Sequence, residues 1–380
     1  MTEIWVPYGQ VEVSFDIKQE NLSQILEPNP TKISQEDLEK RLDAVTAEEL
    51  LILSGSPDTQ NLLSSLLSRN KIIKKLLYPK QFGALARRKA QEFAIQAEPF
   101  DVENLVDAGI VDGSPASIFK QVKESRRLAL FSSSHYDPLF GLSSAASDLI
   151  SLRNELKAEA FIRSSDELPC TPTRSRASSY ATRLLQTCRD VDVIQLIEKT
   201  SLGVLDFYYG DPESVHAQTV DFWTKALSIK LQSRAERIIF GSGGFENDRT
   251  LSDALSRSFF QVASEVALDG DDSKICLLAE CSQGLGSDAL FKFATGNYSP
   301  ASKLDRQSYF DGLEVLISFY RLNRQLELSM LSTLPTYFLN KFDFKPVRGA
   351  RDAPFSLISQ GSRSKILVVP DASRCYFSSD

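Results

Sequence analysis

Two histidines, His135 and His216, are the only imidazoles among 380 residues. Imidazole is the side chain whose ordinary pKa lies nearest neutrality and is a frequent metal ligand, so these two positions bound the chemistry on offer. His135 follows the apolar run Leu128–Phe131 in the stretch Ser132-Ser133-Ser134-His135-Tyr136-Asp137-Pro138. Small polar residues after a strand suggest a functional edge. There His135 could act as acid or base with Asp137 as its orienting carboxylate or a second acid, or it could simply hydrogen-bond within the loop. His216 shares a helical stripe with Val220, Trp223 and Leu227 and reads as a packed side chain. The five cysteines, Cys170, Cys188, Cys276, Cys281 and Cys375, are scattered and contain no CxxC pair, so neither a disulfide framework nor a structural zinc is expected. Cys276 lies inside an apolar strand and reads as core.

Two glycine-rich loops could border a ligand. Gly241-Ser242-Gly243-Gly244 follows the strand-like Arg237–Phe240, and Cys281-Ser282-Gln283-Gly284-Leu285-Gly286 follows Lys274–Glu280. Parallel strands would place both loops at one end of a sheet, where open α/β folds hold ligands. The first loop lacks GxGxxG spacing and a Walker lysine, so it does not read as a nucleotide fingerprint, and its glycines suit a tight turn with positive φ. No G-x-S-x-G elbow is present either.

The elements that must position these groups alternate between extended and helical. Ile4–Ile17 reads as a hairpin or edge strand, Gln35–Ala44 as a helix, and Leu50–Leu53 as a buried strand leaving through Ser54-Gly55-Ser56-Pro57-Asp58 into a helix with Leu62, Leu63, Leu66 and Leu67. Val191–Ile197 and Val204–Tyr209 are strand-like. Asp211-Pro212 opens a helix as N-cap and first residue. Leu251 to Val266 repeats at helical spacing, and Lys365–Pro370 reads as a closing strand. Ser164–Tyr180, rich in Ser, Thr, Pro and Arg, reads as a mobile surface loop.

Length predicts two α/β domains. The division expected is residues 1–195, completed by a closing strand within 365–380, and residues 196–364, with a cleft between them. No apolar run approaches the roughly 20 residues that span a bilayer, and the opening Met1–Pro7 has no basic or apolar leader character. A soluble protein of the reducing cytoplasm, with no membrane partner, is the expectation. The net charge of −7 disfavours nucleic-acid binding by the whole chain. From Arg69 to Lys89, however, there are eight basic residues and no acid. Lys74, Arg87 and Arg88 are candidate contacts for a polyanion. The alternative is that they are solvated flanks of helices whose apolar residues point inward.

Placed in order, Tyr8-Gly9, Glu20-Asn21-Leu22, Ile25-Leu26-Glu27-Pro28, Gly210-Asp211 with His216 and Asp221-Phe222, Gly243-Gly244-Phe245 with Asp248, and Val368-Val369-Pro370-Asp371 resemble the nickel-pincer lactate racemase family from the first strand to the last. The resemblance implies two α/β domains with the active site in the cleft between them. It also implies a nickel-bearing pincer nucleotide, joined to a lysine, that takes a hydride from C2 of lactate while paired histidines move the hydroxyl proton.

Carried over residue by residue, that machinery is largely missing. The family's Asp-His-Thr-Arg falls on Ser56-Pro57-Asp58-Thr59, and no histidine occurs between Lys80 and Ser114, where a second is expected. Ser134-His135-Tyr136 through Gly141 does match a Ser-His-aromatic block. The lysine ten residues on is replaced by Ala145 or Ala146, and the next lysine downstream is Lys157. The nickel-binding histidine would land near Phe161–Arg163, and a Gly-His-Gly turn corresponds to Gly284-Leu285-Gly286. No metal and no cofactor are therefore expected. The expectation is a divergent, non-racemising member that uses the cleft to bind a small ligand, for regulation or for assembly. Its candidate ligand-binding residues are Ser56, Asp58, Ser134, Tyr136, Gly243, Gly244, Glu246, Asp248, Gly284 and Gly286. The alternative is a divergent enzyme, a 2-hydroxy-acid racemase or epimerase or related acid/base catalyst, with His135 and Asp137 catalytic and Glu246 and Asp248 on the opposing loop.

Overall fold

Short aliphatic runs bounded by small polar residues fold into two separate six-stranded sheets. The computed structural model describes residues 1–199, 202–230, 236–267, 273–300, 309–324, 326–358, 364–373 and 375–378. In the first sheet the strand order is Gly203–Gly210, Val191–Lys199, Leu128–Ser133, Glu49–Ile52, Lys75–Tyr78, Gln96–Pro99. All neighbours are parallel except the hairpin pair Val191–Lys199 and Gly203–Gly210. Leu128–Ser133 is buried at every position, as a parallel strand covered on both faces must be. Helix Pro57–Arg69 buries Leu62, Leu63, Leu66 and Leu67 against this sheet, each worth about 2 kcal/mol of transfer free energy. It starts sharply because Ser56 Oγ accepts the Thr59 N–H at 3.0 Å and Pro57 needs no N–H partner.

The second sheet is parallel throughout, in the order Lys345–Val347, Leu326–Leu331, Ser273–Leu278, Arg237–Gly241, Ile366–Val369, Leu22–Ile25. The N-terminal hairpin, Thr2–Tyr8 with Val11–Ile17, covers it through Ile4, Val6, Phe15 and Ile17, which pack with Ile239, Cys276 and Val368. All five cysteines are buried, and none is in a disulfide. Among the described residues no helix is long and apolar enough to cross a membrane.

Sheet membership divides the chain differently from the sequence expectation. The boundary at 195/196 falls inside Val191–Lys199, whose Gln195 and Leu196 pair with Ser132 and Ser133. The closing strand Ile366–Val369 lies between Arg237–Gly241 and Leu22–Ile25, so both chain ends complete the second unit rather than the first. The reason is burial: Ile366–Val369 is apolar at every position and fully buried, and it finds a parallel neighbour on each side only there. Arg374 and residues 379–380 of the expected closing segment lie outside the described residues. The stretch Ser164–Tyr180 is packed rather than loose. Its serines are structural: Ser164 Oγ accepts Ala177 N–H at 2.8 Å, and Ser175 caps helix Arg176–Gln186 while donating to Leu139 O.

The two units share one continuous apolar cluster. The Tyr136–Asp137 segment of the first packs on Leu255–Phe259 of the second. The Lys157–Glu314 ion pair crosses between them at 2.7 Å with side chains only 12% and 2% exposed, and Tyr309 OH donates to the other Glu314 oxygen at 3.0 Å.

Candidate functional site in the crevice between the two units

A ligand crevice in an open parallel sheet opens beyond the carboxyl ends of the strands, where strand order reverses. In the first sheet that point lies between Glu49–Ile52 and Leu128–Ser133. The loops leaving these strands supply Leu53–Ser56, Ser133 and His135 to a cavity of about 330 Å³. Glu198 at the end of its strand and Asp148 on helix Ala145–Ile150 complete this wall. Glu246, Arg249 and Arg257 from the second unit face it.

Glu198 organises the first wall. It is buried, and its two oxygens accept from Ser56 Oγ and Ser133 Oγ, each at 2.7 Å. Thr59 Oγ1 lies 2.7 Å from Ser56 Oγ and 3.2 Å from Ser54 Oγ, so a chain of hydroxyls lines the carboxylate. His135 is fixed at both ends by one serine: its backbone N–H donates to Ser143 Oγ at 2.9 Å, and its ring Nδ1 lies 2.9 Å from the same oxygen. Asp148 accepts from Ser132 Oγ. Burial pushes its carboxyl up to about 7; Asp137 adds to the rise, while the Ser132 hydrogen bond, Arg257 and Lys157 oppose it.

The second wall is cationic. Arg257 sits in a π-helical turn, Leu255–Phe259, between helices Leu251–Ala254 and Phe260–Ala267. Such turns are frequent at functional sites, and this one bears Arg257 on the cleft side, with Nη1 donating to Asn247 Oδ1 at 3.3 Å. Arg249 Nε is shielded from solvent with no hydrogen-bond partner, and the nearest carboxylate in an ion pair with it, Asp253, is 3.9 Å away.

Of the residues singled out from sequence, Ser56, His135 and Glu246 line this cavity. Ser134, Tyr136 and Asp137 lie behind it: Ser134 Oγ accepts Trp223 Nε1–H at 3.0 Å, Tyr136 OH donates to Cys170 O at 2.8 Å, and Asp137 Oδ1 accepts the N–H groups of Leu139 and Phe140. Burial raises the Asp137 carboxyl, Lys157 opposes the rise and Glu314 adds to it. Asp58 lies beside Gly203. Gly243 and Gly244 are buried in a polar knot, where a Cβ on Gly243 would overlap Asp371 and Ser373. Asp248 Oδ2 accepts Gly9 N–H at 2.9 Å and Glu280 N–H at 3.2 Å, and burial raises its carboxyl. The Gly284–Gly286 turn props up the loop that carries Arg249: Gln283 N–H donates to Arg249 O at 2.8 Å and Leu251 N–H to Gly284 O at 2.9 Å.

Sequence reasoning passed over Glu198, Asp148, Ser133, Arg249 and Arg257. The available signal was a charge inside an apolar run: Glu198 after Leu196-Ile197, Asp148 between Ala145-Ala146 and Leu149-Ile150, and Arg257 between Leu255 and Phe259.

The basic segment shows the flanking arrangement. Lys74 pairs with Glu48 at 3.2 Å, Arg87 lies over the Tyr78 ring, and Arg88 donates to Gln60 at 2.7 Å. Arg69, Lys75 and Lys89 also pair with acids. His216 borders a second cavity of about 430 Å³, with Nε2 3.2 Å from Ser178 Oγ, and burial holds its pKa below the usual imidazole value.

No family model and no curated protein matches the chain. Solved structures do. The lactate racemase apoprotein from Thermoanaerobacterium thermosaccharolyticum superposes with a TM-score of 0.77 at 17% identity, covering 99% of this chain and 100% of its own. A protein from Thermotoga maritima superposes with a TM-score of 0.63 at 10% identity, covering 93% and 100%. The chain therefore has the lactate racemase fold over its whole length.

Proposed function

We propose that this protein binds a small carboxylate-bearing metabolite in the crevice between its two units and does not racemise lactate by nickel-pincer chemistry. The observation that carries this reading is the pair Arg249 and Arg257, presented by the second unit across a cavity of about 330 Å³ to the hydroxyl-lined Glu198 of the first. Guanidinium groups take carboxylates in two-point geometry, and serine hydroxyls suit the polar remainder of such a molecule.

The donor set does not fit the family's pincer nucleotide. Ala145 or Ala146, neither with a side-chain amine and both buried, stands where the resemblance places the attachment lysine. Lys157, the next lysine on, is committed to Glu314. Among the described residues no three His, Cys, Asp or Glu side chains gather as a metal site. The Cys170 and Cys276 thiols are pushed up to about 11 by burial, which disfavours the thiolate a soft metal needs. Cysteines outside disulfides also suit a reducing compartment such as the cytoplasm.

A second reading, acid/base catalysis in the same crevice, is favoured by Asp148, whose carboxyl titrates near 7.

Thermal shift and calorimetry with a panel of small carboxylates test the binding reading. Stabilisation that disappears in the Arg249→Met/Arg257→Met double variant is expected. Interconversion of lactate enantiomers by the pure protein, or stoichiometric nickel on protein from its native host, would overturn it.

A further inference from the structure

The second cavity, of about 430 Å³, lies in the first unit between helices Arg176–Gln186 and Pro212–Ala226 and the turn Thr171–Arg174, and it shares no lining residue with the crevice. Its charges do not cancel. Asp221 is answered by Lys225 at 2.6 Å, whereas the exposed Arg174 side chain has no ion pair or hydrogen bond among the described residues. One uncommitted guanidinium therefore borders a concave site.

His216 and Ser178 add a donor. Burial holds the imidazole below its usual pKa, so at neutral pH the ring is uncharged and carries a single N–H. Nδ1 is shielded from solvent with no hydrogen-bond partner, and Nε2 lies 3.2 Å from Ser178 Oγ. A buried N–H is rarely left without an acceptor, so the proton belongs on Nε2, which donates to Ser178 Oγ. Neighbouring hydroxyls are committed to helix carbonyls: Ser179 donates to Ser175 O at 3.1 Å and Thr224 to Val220 O at 3.0 Å. The Ser178 hydroxyl, only 4% exposed, has no such acceptor among the described residues, and its proton is left for a ligand.

We infer that this cavity is a second ligand site, independent of the crevice, for a small phosphate monoester, with two phosphoryl oxygens on the Arg174 guanidinium and the third on the Ser178 hydroxyl that His216 positions. A planar guanidinium takes two oxygens side by side, and a phosphoryl group has a third to offer where a carboxylate has none. Pro172, Ala217 and Val220 give the organic part an apolar wall, and the volume suits a small molecule rather than a bare ion. Side chains hold the anion, since the Ala177 and Ser178 N–H groups that open the helix already donate to Ser164 and Ser175.

Calorimetry on the full chain with phenyl phosphate, inorganic phosphate, phenol and benzoate tests the assignment. Phenyl phosphate should bind at least tenfold tighter than inorganic phosphate or phenol. Arg174→Met should weaken phenyl phosphate at least tenfold and leave benzoate within about twofold, while Arg249→Met/Arg257→Met leaves phenyl phosphate within about twofold. Ser178→Ala and His216→Leu should each weaken phenyl phosphate at least threefold, and His216→Gln, which restores a side-chain N–H, should recover most of the His216→Leu loss. Arg174 is exposed with no side-chain bond to lose, so its variant reports on binding alone; circular dichroism and thermal unfolding check the buried positions, and the comparison of probes on the unmodified chain stands without them. Absence of any preference for phenyl phosphate, a loss that follows the crevice arginines instead of Arg174, or equal dependence of benzoate and phenyl phosphate on Arg174 would each overturn the phosphate site.

Discussion

At the first strand-order reversal the loops after Ile52 and Ser133 part and leave a cavity of about 330 Å³; at the second, the loops after Gly241 and Val369 close on one another. There Ser242 bridges Asp371, Asp371 Oδ1 accepts from the Ser373 hydroxyl at 2.6 Å, and Asn247 Nδ2 donates to Ser373 Oγ at 3.1 Å. The turn of the N-terminal hairpin is stitched to the same knot by the Gly9 N–H to Asp248 bond. Both places obey the same topological rule, yet they are packed differently. Where the polar groups of a crevice satisfy each other the crevice becomes core, and where they face across a gap it is left for a ligand.

The comparison depends on the two units being held as a rigid frame. Lys157→Met leaves Glu314 buried without its counter-ion and should destabilise the protein by about 3–5 kcal/mol in urea unfolding. Adding Glu314→Leu should recover most of that loss. A single variant no weaker than wild type would mean that the ion pair does not brace the crevice.

Glycines sharpen the contrast directly. Gly243 has φ 88° and no room for a Cβ, so Gly243→Ala should cost about 2–3 kcal/mol by thermal or chemical denaturation. In the open crevice Gly55 has no such backbone constraint, and its nearest neighbour is the Phe82 ring at 2.9 Å from a built Cβ. Gly55→Ala should therefore stay within about 1 kcal/mol. Equal costs at the two sites would erase the distinction drawn between them.

Ser133→Ala removes one of the two hydroxyls that Glu198 accepts and should lower stability by about 1–2 kcal/mol, while carboxylate binding, measured by calorimetry, falls with it. Unchanged binding would detach Glu198 from ligand recognition.

The smallest effect concerns Asp148. The folded protein holds this proton up to about pH 7, whereas the unfolded chain releases it near the ordinary aspartate value of 3.8. Asp148 therefore contributes stability that is fully present below about pH 4, declines as pH rises and levels off above 7. Over the single unit from pH 6.5 to 7.5 the loss is under about 1 kcal/mol. Urea midpoints of wild type and Asp148→Asn should converge or cross in that sense, and parallel pH profiles would remove Asp148 from the titrating groups.

Much of the local structure was legible beforehand. The Asp211-Pro212 helix start is realised, with Ser214 N–H bonded to Asp211 Oδ1 at 2.9 Å, and the strand, loop and helix from Leu50 to Leu67 form as the pattern predicts. The site was legible only in part. Gly243-Gly244 and Gly284-Gly286 look like ligand loops in one dimension because glycine marks tight backbone conformations whether they cradle a ligand or another loop. Asp248 shows the same ambiguity: an acid after a glycine-rich turn can face a substrate or, as here, two backbone N–H groups.

By itself the sequence determined what short-range physics decides: which runs are strands and helices, where helices start, and that only one histidine can lie near the expected catalytic block. Tertiary structure decided which distant residues share a wall. Glu198 meets Ser56 and Ser133 across separations of 142 and 65 residues because three strands adjoin in one parallel sheet. Arg249 and Arg257 face them only because the second unit docks its π-helical turn on Tyr136–Asp137. Such encounters depend on strand order and domain docking, which no local preference encodes.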